Sequence, residues 1–329
     1  MARFCAVTPP MGSKIYFITI NYYSAKLLRS LLHSIQQAAD SSGDRAFEIL
    51  IVNNSPDDSE VESLIHAPSI SLISPKINLG FGGGCNVGIQ AVYQRDPQAI
   101  VWLINPDALL TADAIAYVRQ CLQQEPAIAI LGTRIQDLEG RLWYSQGTFN
   151  RWTGSLKHRF DTVDCTPSPP ATHPTRWVSG CSLILNLATF DQCPSFDTTY
   201  FLDYEDADLC ERYAQQGYPV HVTQAVLVHH HVSAITQRNL TAKFQHAAFS
   251  KLYFLYRHAT PLALWANMVY IMGKVLWHLP RRPDIAHGRL RGLFDFWQWR
   301  YHSAQPNTPF RPRSSFTRAP ATTTDGPKL

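Results

Sequence analysis

Short apolar runs alternate with longer segments in which apolar residues return every three or four positions, and this alternation dominates the first 131 residues. Residues 14–21 are apolar, β-branched and aromatic, the composition of a buried strand. Leu27, Leu28, Leu31, Leu32 and Ile35 then recur at helical spacing, with Ser24 placed to cap that helix. Further strands are predicted at 47–52, 70–73, 99–104 and 127–131, and further helices from the glycine-rich segment 78–86 to about 94 and over 112–123. Strand and helix alternating across short turns predict an α/β domain whose mostly parallel sheet is covered on both faces. Ligands of such sheets bind beyond the carboxyl ends of the strands, and Asn53, Asn78 and Asp107 all fall at such ends.

The pattern loosens at 136–175, which contains Trp143, Trp152 and a Pro-rich stretch and reads as a long excursion. Order returns with a strand over 177–185, a helix over 206–216 stopped by Gly217, and a last strand over 225–228 that runs into His229, His230 and His231. From about Thr241 the texture is aromatic and apolar at helical spacing, ending in Arg281-Arg282. Lys274 and the modest length argue against a spanning helix. Two readings stay open for this region: an interfacial helix with basic flanks, or helices packed on the main domain or a partner subunit. The predicted organisation is a tail over 1–13, a main domain over 14–240, a C-terminal helical extension over 241–304 and a disordered tail over 305–329.

Composition narrows the function classes. With 45% hydrophobic and 16% charged residues, the chain has enough apolar material for a sizeable core. A net charge of +4 is too mild for nucleic-acid binding, although the basic residues concentrate toward the C-terminus. Seven scattered cysteines without a C-x-x-C pair predict free thiols in a reducing cytoplasm rather than a disulfide framework or zinc site. No apolar run follows a basic start at the N-terminus, so no secretory leader is expected.

Two acidic clusters are the candidate chemistry. Glu205, Asp206 and Asp208 place three carboxylates within four residues at a helix start, a costly arrangement unless a cation or a proton-transfer task uses it. Asn105-Pro106-Asp107 closes a buried strand. Together they point to an enzyme acting on a charged, phosphorylated substrate. Acidic residues in a first helical turn are also favoured by the helix dipole alone, and Asp107 has the plainer alternative of a helix cap. The glycines from Gly80 onward do not fit a dinucleotide fingerprint, since the third position is Cys85 or Val87. They still allow close backbone approach to a ligand ahead of a helix N-terminus.

The order of motifs resembles glycosyltransferase family 2, particularly its bacterial rhamnosyltransferase-like branch. The matching pieces are ITINYYSAKLLRSLLHSI, ILIVNNSPDD, NLGFGGGCNVGI, VWLINPDALL, WVSGCSLIL, FDTTYFLDYEDADLCERYAQQGY and VHHHVS, in the family's order over residues 14 to about 234. The resemblance implies a GT-A fold and inverting transfer of a sugar, with rhamnose favoured, from a dTDP- or UDP-linked donor to a lipid-linked or polysaccharide acceptor. It implies Asp206 as the base with Glu205 beside it, and Asp107 as ligand to a divalent cation, Mg2+ or Mn2+. His230, or next His229, would reach the metal or diphosphate. Thr19, Asn21, Asn53, Asn54, Asn78, Gly80, Gly82, Asn86 and Asn105 would bind the donor. Asn105 and Asn53 stand where the family carries carboxylates, which weakens the charge available to metal and base. The implied location is cytoplasmic, peripheral at the inner face of the membrane through the C-terminal region. A sugar-phosphate nucleotidyltransferase and a non-catalytic glycan-assembly scaffold are the rival readings.

Overall fold

The computed structural model describes residues 13–159, 171–231 and 239–303. The predicted tail over 305–329 and most of that over 1–13 lie outside the described residues. The first half holds β1 (Ile15–Asn21), α1 (Ala25–Ser42), β2 (Phe47–Asn53), β3 (Ile70–Ile73), α2 (Gly80–Arg95), β4 (Ile100–Ile104), β5 (Ala108–Leu110), α3 (Ala114–Gln124) and β6 (Ile130–Asp137). It continues through β7 (Leu142–Tyr144), β8 (Gln146–Asn150), β9 (Ser155–Arg159), β10 (Thr172–Pro174), β11 (Ser182–Asn186), α4 (Glu205–Gln215) and β12 (Val220–His230). Three helices close the described chain: α5 (Leu240–His258), α6 (Pro261–His278) and α7 (Pro283–Ser303).

The central sheet runs β10-β12-β6-β11-β4-β1-β2-β3, with β5 attached to β12 and β7 to β6. The pairs β1–β2, β1–β4, β2–β3 and β6–β12 are parallel, and β11 enters antiparallel between β4 and β6. Every residue of β1 and β4 is buried, Tyr16, Thr19 and Asn21 of β1 included, because α-helical layers cover both faces of strands otherwise made of Ile, Val, Leu, Phe and Trp. Strand order reverses at β1, so the ends of β1 and β4 open a crevice where an open α/β sheet receives a ligand.

Several elements differ from the sequence expectation, each for a local reason. Ser24 sits at the N-cap of α1, but its hydroxyl donates to Asn21 Oδ1 (2.8 Å) and makes no cap bond. The glycine run is the first turn and a half of α2 rather than a loop before a helix. Its small residues let α2 lie close on the sheet, and a Cβ on Gly88 would come 2.6 Å from Ile18 Cγ2. Within 136–175, expected to be an excursion, the described part contains β7, the β8–β9 hairpin and β10. These strands are three to five residues long and half exposed, which leaves too little alternation to read. The strand expected over 177–185 begins only at Ser182, since Trp177 bridges to Gly147 and a turn closed by the Ser182 N–H to the Ser179 carbonyl precedes it. The last strand starts at Val220, and register shifts between Val222 and Val228 break its pattern.

Among the bonds that fasten the helical extension to the main domain, one centres on a fully buried carboxylate. Asp208, fully buried on α4, accepts from Tyr200 Oη (3.2 Å) and Arg212 Nε (2.6 Å), and lies 2.8 Å from His258 Nε2 at the end of α5. Burial alone would raise its pKa; His258, Arg212 and Arg257 outweigh that and hold it below the ordinary carboxylate value. A carboxyl depressed by folding contributes stability above its unfolded pKa, about 4, and that stability is lost as pH falls through the lower folded value. Asp208→Ala is therefore expected to cost about 3–5 kcal/mol by denaturant titration at neutral pH, with the difference from the parent shrinking below about pH 4.

Candidate active site

A cavity of about 580 Å³ opens at the carboxyl ends of β1 and β4, and it receives both acidic clusters. The turn after β4 carries Asn105, Pro106 and Asp107 to one wall, and the first turn of α4 carries Glu205 and Asp206 to the other. The Asn105–Asp107 turn is fixed by three backbone bonds, Asn105 N–H to the Cys181 carbonyl (3.0 Å), Ala108 N–H to the Asn105 carbonyl (3.1 Å) and His231 N–H to the Asp107 carbonyl (2.9 Å). The chain enters α4 through Asp203 and Tyr204, both at left-handed φ, +67° and +70°. Two consecutive non-glycine residues in that region store strain at the point where the acidic turn faces the cavity.

The carboxylates of α4 divide by environment. Asp206 Oδ2 accepts from the Gly180 N–H (2.8 Å) and Oδ1 from the Ala207 N–H (2.7 Å). Glu205 is buried, and its Oε2 has no hydrogen-bond partner. Burial raises both carboxyls, and the Asp206 charge pushes Glu205 further, well above the usual range. Backbone N–H groups counter the rise at three points on Asp206, those of Gly180, Ala207 and Asp206 itself, but at Glu205 only through its own N–H. The pair therefore holds a proton preferentially on Glu205 and a charge preferentially on Asp206. Asp203, beside them in the cavity, is lifted to about 6 by burial and by Asp206, against the pull of Lys243.

On the opposite wall His230 Nε2 stands 3.2 Å from Asp107 Oδ1, in a geometry that makes no hydrogen bond. That oxygen and His230 Nδ1 are both buried without a hydrogen-bond partner. His229 is not part of the cavity wall, because successive residues of β12 face opposite sides. Of the two histidine candidates, only His230 is beside Asp107. The Trp143 ring packs edge-on against His230 at 4.5 Å between centroids and continues the wall with His158 and Trp177.

The predicted donor residues separate into two groups. Asn54, Asn78, Gly80 and Asn105 line the cavity. Thr19, Asn21, Asn53, Gly82 and Asn86 do not. Asn21 Nδ2 donates to Asn53 Oδ1 and to Asp58 Oδ2, both at 2.9 Å, so these amides knit the loop after β2. Asn86 exchanges two bonds with the Phe196 backbone, donating to its carbonyl (2.9 Å) and accepting from its N–H (2.7 Å). Thr19 is buried within the sheet, and a Cβ on Gly82 would meet the Phe196 side chain at 3.0 Å. Sequence reasoning missed Trp143, His158, Trp177, Asp203 and Lys243. The first three sit in or beside the stretch read as loose, and only the run from Asp203 to Asp206 offered a signal, as an extension of the acidic cluster.

The model of the family described as "Glycosyl transferase family 2" matches residues 16–179. An N-acetylglucosaminyl-diphospho-decaprenol L-rhamnosyltransferase of Mycobacterium tuberculosis is 25% identical over 240 residues, which are 65% of this chain and 75% of that one. The low-salt glycan biosynthesis hexosyltransferase Agl10 of Haloferax volcanii is 24% identical over 226 residues, 68% of each chain. The chain belongs to glycosyltransferase family 2.

Solved structures add the fold. The mannosyltransferase PcManGT from Pyrobaculum calidifontis, in complex with GDP-Man and Mn2+, superposes with a TM-score of 0.50 at 15% identity, over 85% of this chain and 75% of that one. GalNAc-T7 with UDP, GalNAc and Mn2+ gives a TM-score of 0.50 at 10% identity, over 88% of this chain but 57% of its own. The glycosyltransferase has the GT-A architecture that its motif order implied, with a mostly parallel sheet and C-terminal helices.

Gly80 ties the cavity floor to the acidic turn of this glycosyltransferase. It sits at φ +74°, and a Cβ there would lie 2.4 Å from the Phe201 carbonyl oxygen, which accepts from the Phe81 N–H at 3.1 Å. Gly80→Ala is expected to lower stability by about 2 kcal/mol or more, read as a fall in Tm, with loss of activity in the fraction that folds.

Proposed function

We propose that this glycosyltransferase inverts the anomeric centre of a nucleotide-diphosphate sugar, rhamnose being favoured, and transfers it to a hydroxyl of a lipid-linked or polysaccharide acceptor at the cytoplasmic face of a membrane. The observation that carries the reading is the convergence of Asp107 and Asp206 on one cavity from the ends of different elements. Inversion needs a leaving-group site and a base on opposite sides of the sugar. The Asn105–Asp107 wall and the α4 wall supply those two sides.

Asp206 is the proposed base. It is the member of the acidic pair that holds charge, and its two backbone donors fix the carboxylate toward the cavity. It would take the proton of the attacking acceptor hydroxyl, while protonated Glu205 keeps a second negative charge out of the same turn and positions the acceptor. The nucleotide would lie against Tyr22 and Asn54 at the ends of β1 and β2, with the sugar under the aromatic wall of Trp143 and Trp177. The rhamnose and lipid-linked assignments draw their support from the mycobacterial relative.

A divalent cation fits the Asp107 wall. An unpartnered carboxylate oxygen and an imidazole beside it form a partial ligand set, and among the described residues no three His, Cys, Asp or Glu side chains gather to hold an ion alone. Hard divalent ions commonly accept one or two protein groups and complete their shell with substrate phosphates. Bound there, such an ion would neutralise the diphosphate as it leaves.

Three outcomes test the reading. In a thermal-shift panel of UDP-, dTDP- and GDP-sugars, one pyrimidine donor should raise Tm more with Mg2+ or Mn2+ than without, and Asp107→Ala should erase the metal-dependent increment. Asp206→Asn should lower kcat by about 10²–10⁴-fold while leaving that donor shift intact. The acid limb of kcat/KM should lie above the ordinary carboxylate pKa of about 4, because burial raises Asp206 and only its ionised form accepts the proton. A limb at or below that value, or an active Asp206→Asn enzyme, removes Asp206 from the role.

A further inference from the structure

The exposed side of α6 is apolar throughout. Leu262, Trp265, Val269, Met272, Leu276 and Leu279 follow one another at spacings of three and four, with Tyr270 and Trp277 alongside. Leu262 is 78% exposed, Val269 71%, Leu276 65% and Trp277 63%. The face that packs inward, Ala263, Met268, Ile271 and Val275, is apolar as well. A helix apolar all round is at home in a core or in lipid, not half in water. Leu290, Phe294, Trp297 and Tyr301 make a matching exposed stripe on α7, and Trp265 meets Trp297 with ring centroids 6.0 Å apart, joining the two stripes. Neither helix is long and apolar enough to cross a membrane.

Beneath this surface, α5, α6 and α7 enclose a groove of about 190 Å³ lined by Lys251, Lys274, Arg289, Phe244, Tyr270 and Tyr204. Lys251 and Lys274 approach the Tyr270 ring, at 5.2 and 5.6 Å from its centroid, and Arg289 lies over Phe244 at 4.8 Å. No carboxylate within ion-pair distance faces any of the three among the described residues. Burial and mutual repulsion lower Lys251, which marks a cation cluster lacking its counter-charge. Residues 261–303 carry six Lys and Arg against two Asp, so the whole surface complements negative charge. Tyr204 lines both this groove and the catalytic cavity.

We infer that the joined apolar face of α6 and α7 docks in the interface of an anionic bilayer, and that Lys251, Lys274 and Arg289 receive the phosphate of a membrane lipid. The aromatic and aliphatic side chains enter the headgroup boundary while the cations stay at phosphate level, the division seen in interfacial helices. The inference deepens the membrane-face part of the proposed reading and rests on it there, and its test reads no sugar transfer, so the two can fail separately. Docking would set the shared Tyr204 edge, and with it the mouth of the catalytic cavity, at the membrane surface.

Vesicle co-sedimentation of the full chain tests this without any assay of sugar transfer. Binding to phosphatidylcholine vesicles containing phosphatidylglycerol should exceed binding to phosphatidylcholine alone and weaken with salt. Val269→Glu with Leu276→Glu, both exposed and so harmless to folding, should reduce partition by at least about tenfold. Lys274→Gln with Arg289→Gln should lose about fivefold per cation on anionic vesicles and little on neutral ones, whereas Arg45→Gln, in the turn between α1 and β2, should change nothing. Binding of inorganic phosphate by the parent, lost in Lys274→Gln with Arg289→Gln, without vesicle binding would assign the groove to a free anion and overturn the lipid assignment. Failure of the parent to bind either vesicle, or a dimer in sedimentation velocity that the Val269→Glu, Leu276→Glu variant dissociates, would overturn docking in favour of another cover for this face.

Discussion

The ion cluster around Asp208 holds the site to its scaffold. One buried carboxylate on α4 joins the segment before the helix through Tyr200, its own helix through Arg212, and the C-terminal helices through His258. It is one of the contacts that hold the strained entry at Asp203 and Tyr204 in register, because left-handed non-glycine residues persist only where their surroundings over-determine them. A second latch acts from the other side. Asn86 and the N-terminus of α2 grip the Phe196 and Phe201 backbone, so the acidic turn is clamped between α2 and α5.

Three acidic residues within one helical turn thus meet three different fates. Asp208 is ionised because cations surround it. Asp206 keeps charge because the Gly180 and Ala207 N–H groups reach it, and Glu205, with only its own backbone N–H against burial and the Asp206 charge, is driven toward its neutral form. Identical side-chain chemistry is sorted by partners alone, the means by which one fold places an acid and a base side by side. The arrangement would fail if Asp208 were the exposed member, because its cations would then sit beside the pair and lower both carboxyls.

The alternation of buried runs with helical periodicity was enough to read the parallel half of the sheet, since strands covered on both faces are almost free of polar residues. The region from β7 to β10 was illegible because its strands are short, half exposed and paired at sheet margins. Of the three polar residues read at strand ends, Asn78 and Asp107 line the cavity and Asn53 does not, while Asn54 and Asn105, expected from the family resemblance, also line it. Asn21, Asn53 and Asn86 share the same type and neighbourhood, yet their amides are consumed by loop backbone and by each other. An asparagine at a strand end serves ligand or loop equally well, and only the hydrogen-bond partner distinguishes them. Trp143 and His158 came from the illegible stretch and formed a wall that no local pattern announced.

The C-terminal helices show the opposite difficulty. Their apolar content was plain in the sequence, but its direction was not, because a helix apolar on both its inward and its exposed face, with Asn267, Lys274 and His278 between, has little periodicity to orient it. The fold supplies the direction by burying one side of α6 against the bundle and leaving Val269 and Leu276 outward. Burial of that outward face would recover roughly 25 cal/mol for each Å² of apolar surface removed from water, whatever covers it. The cations decide what covers it: Lys251, Lys274 and Arg289 gather around one groove without a carboxylate, and a second apolar surface would leave that charge unanswered where a phosphate would not. The same groove meets the catalytic cavity at Tyr204, so the element that separates reaction from surface is the strained residue at the head of the acidic turn.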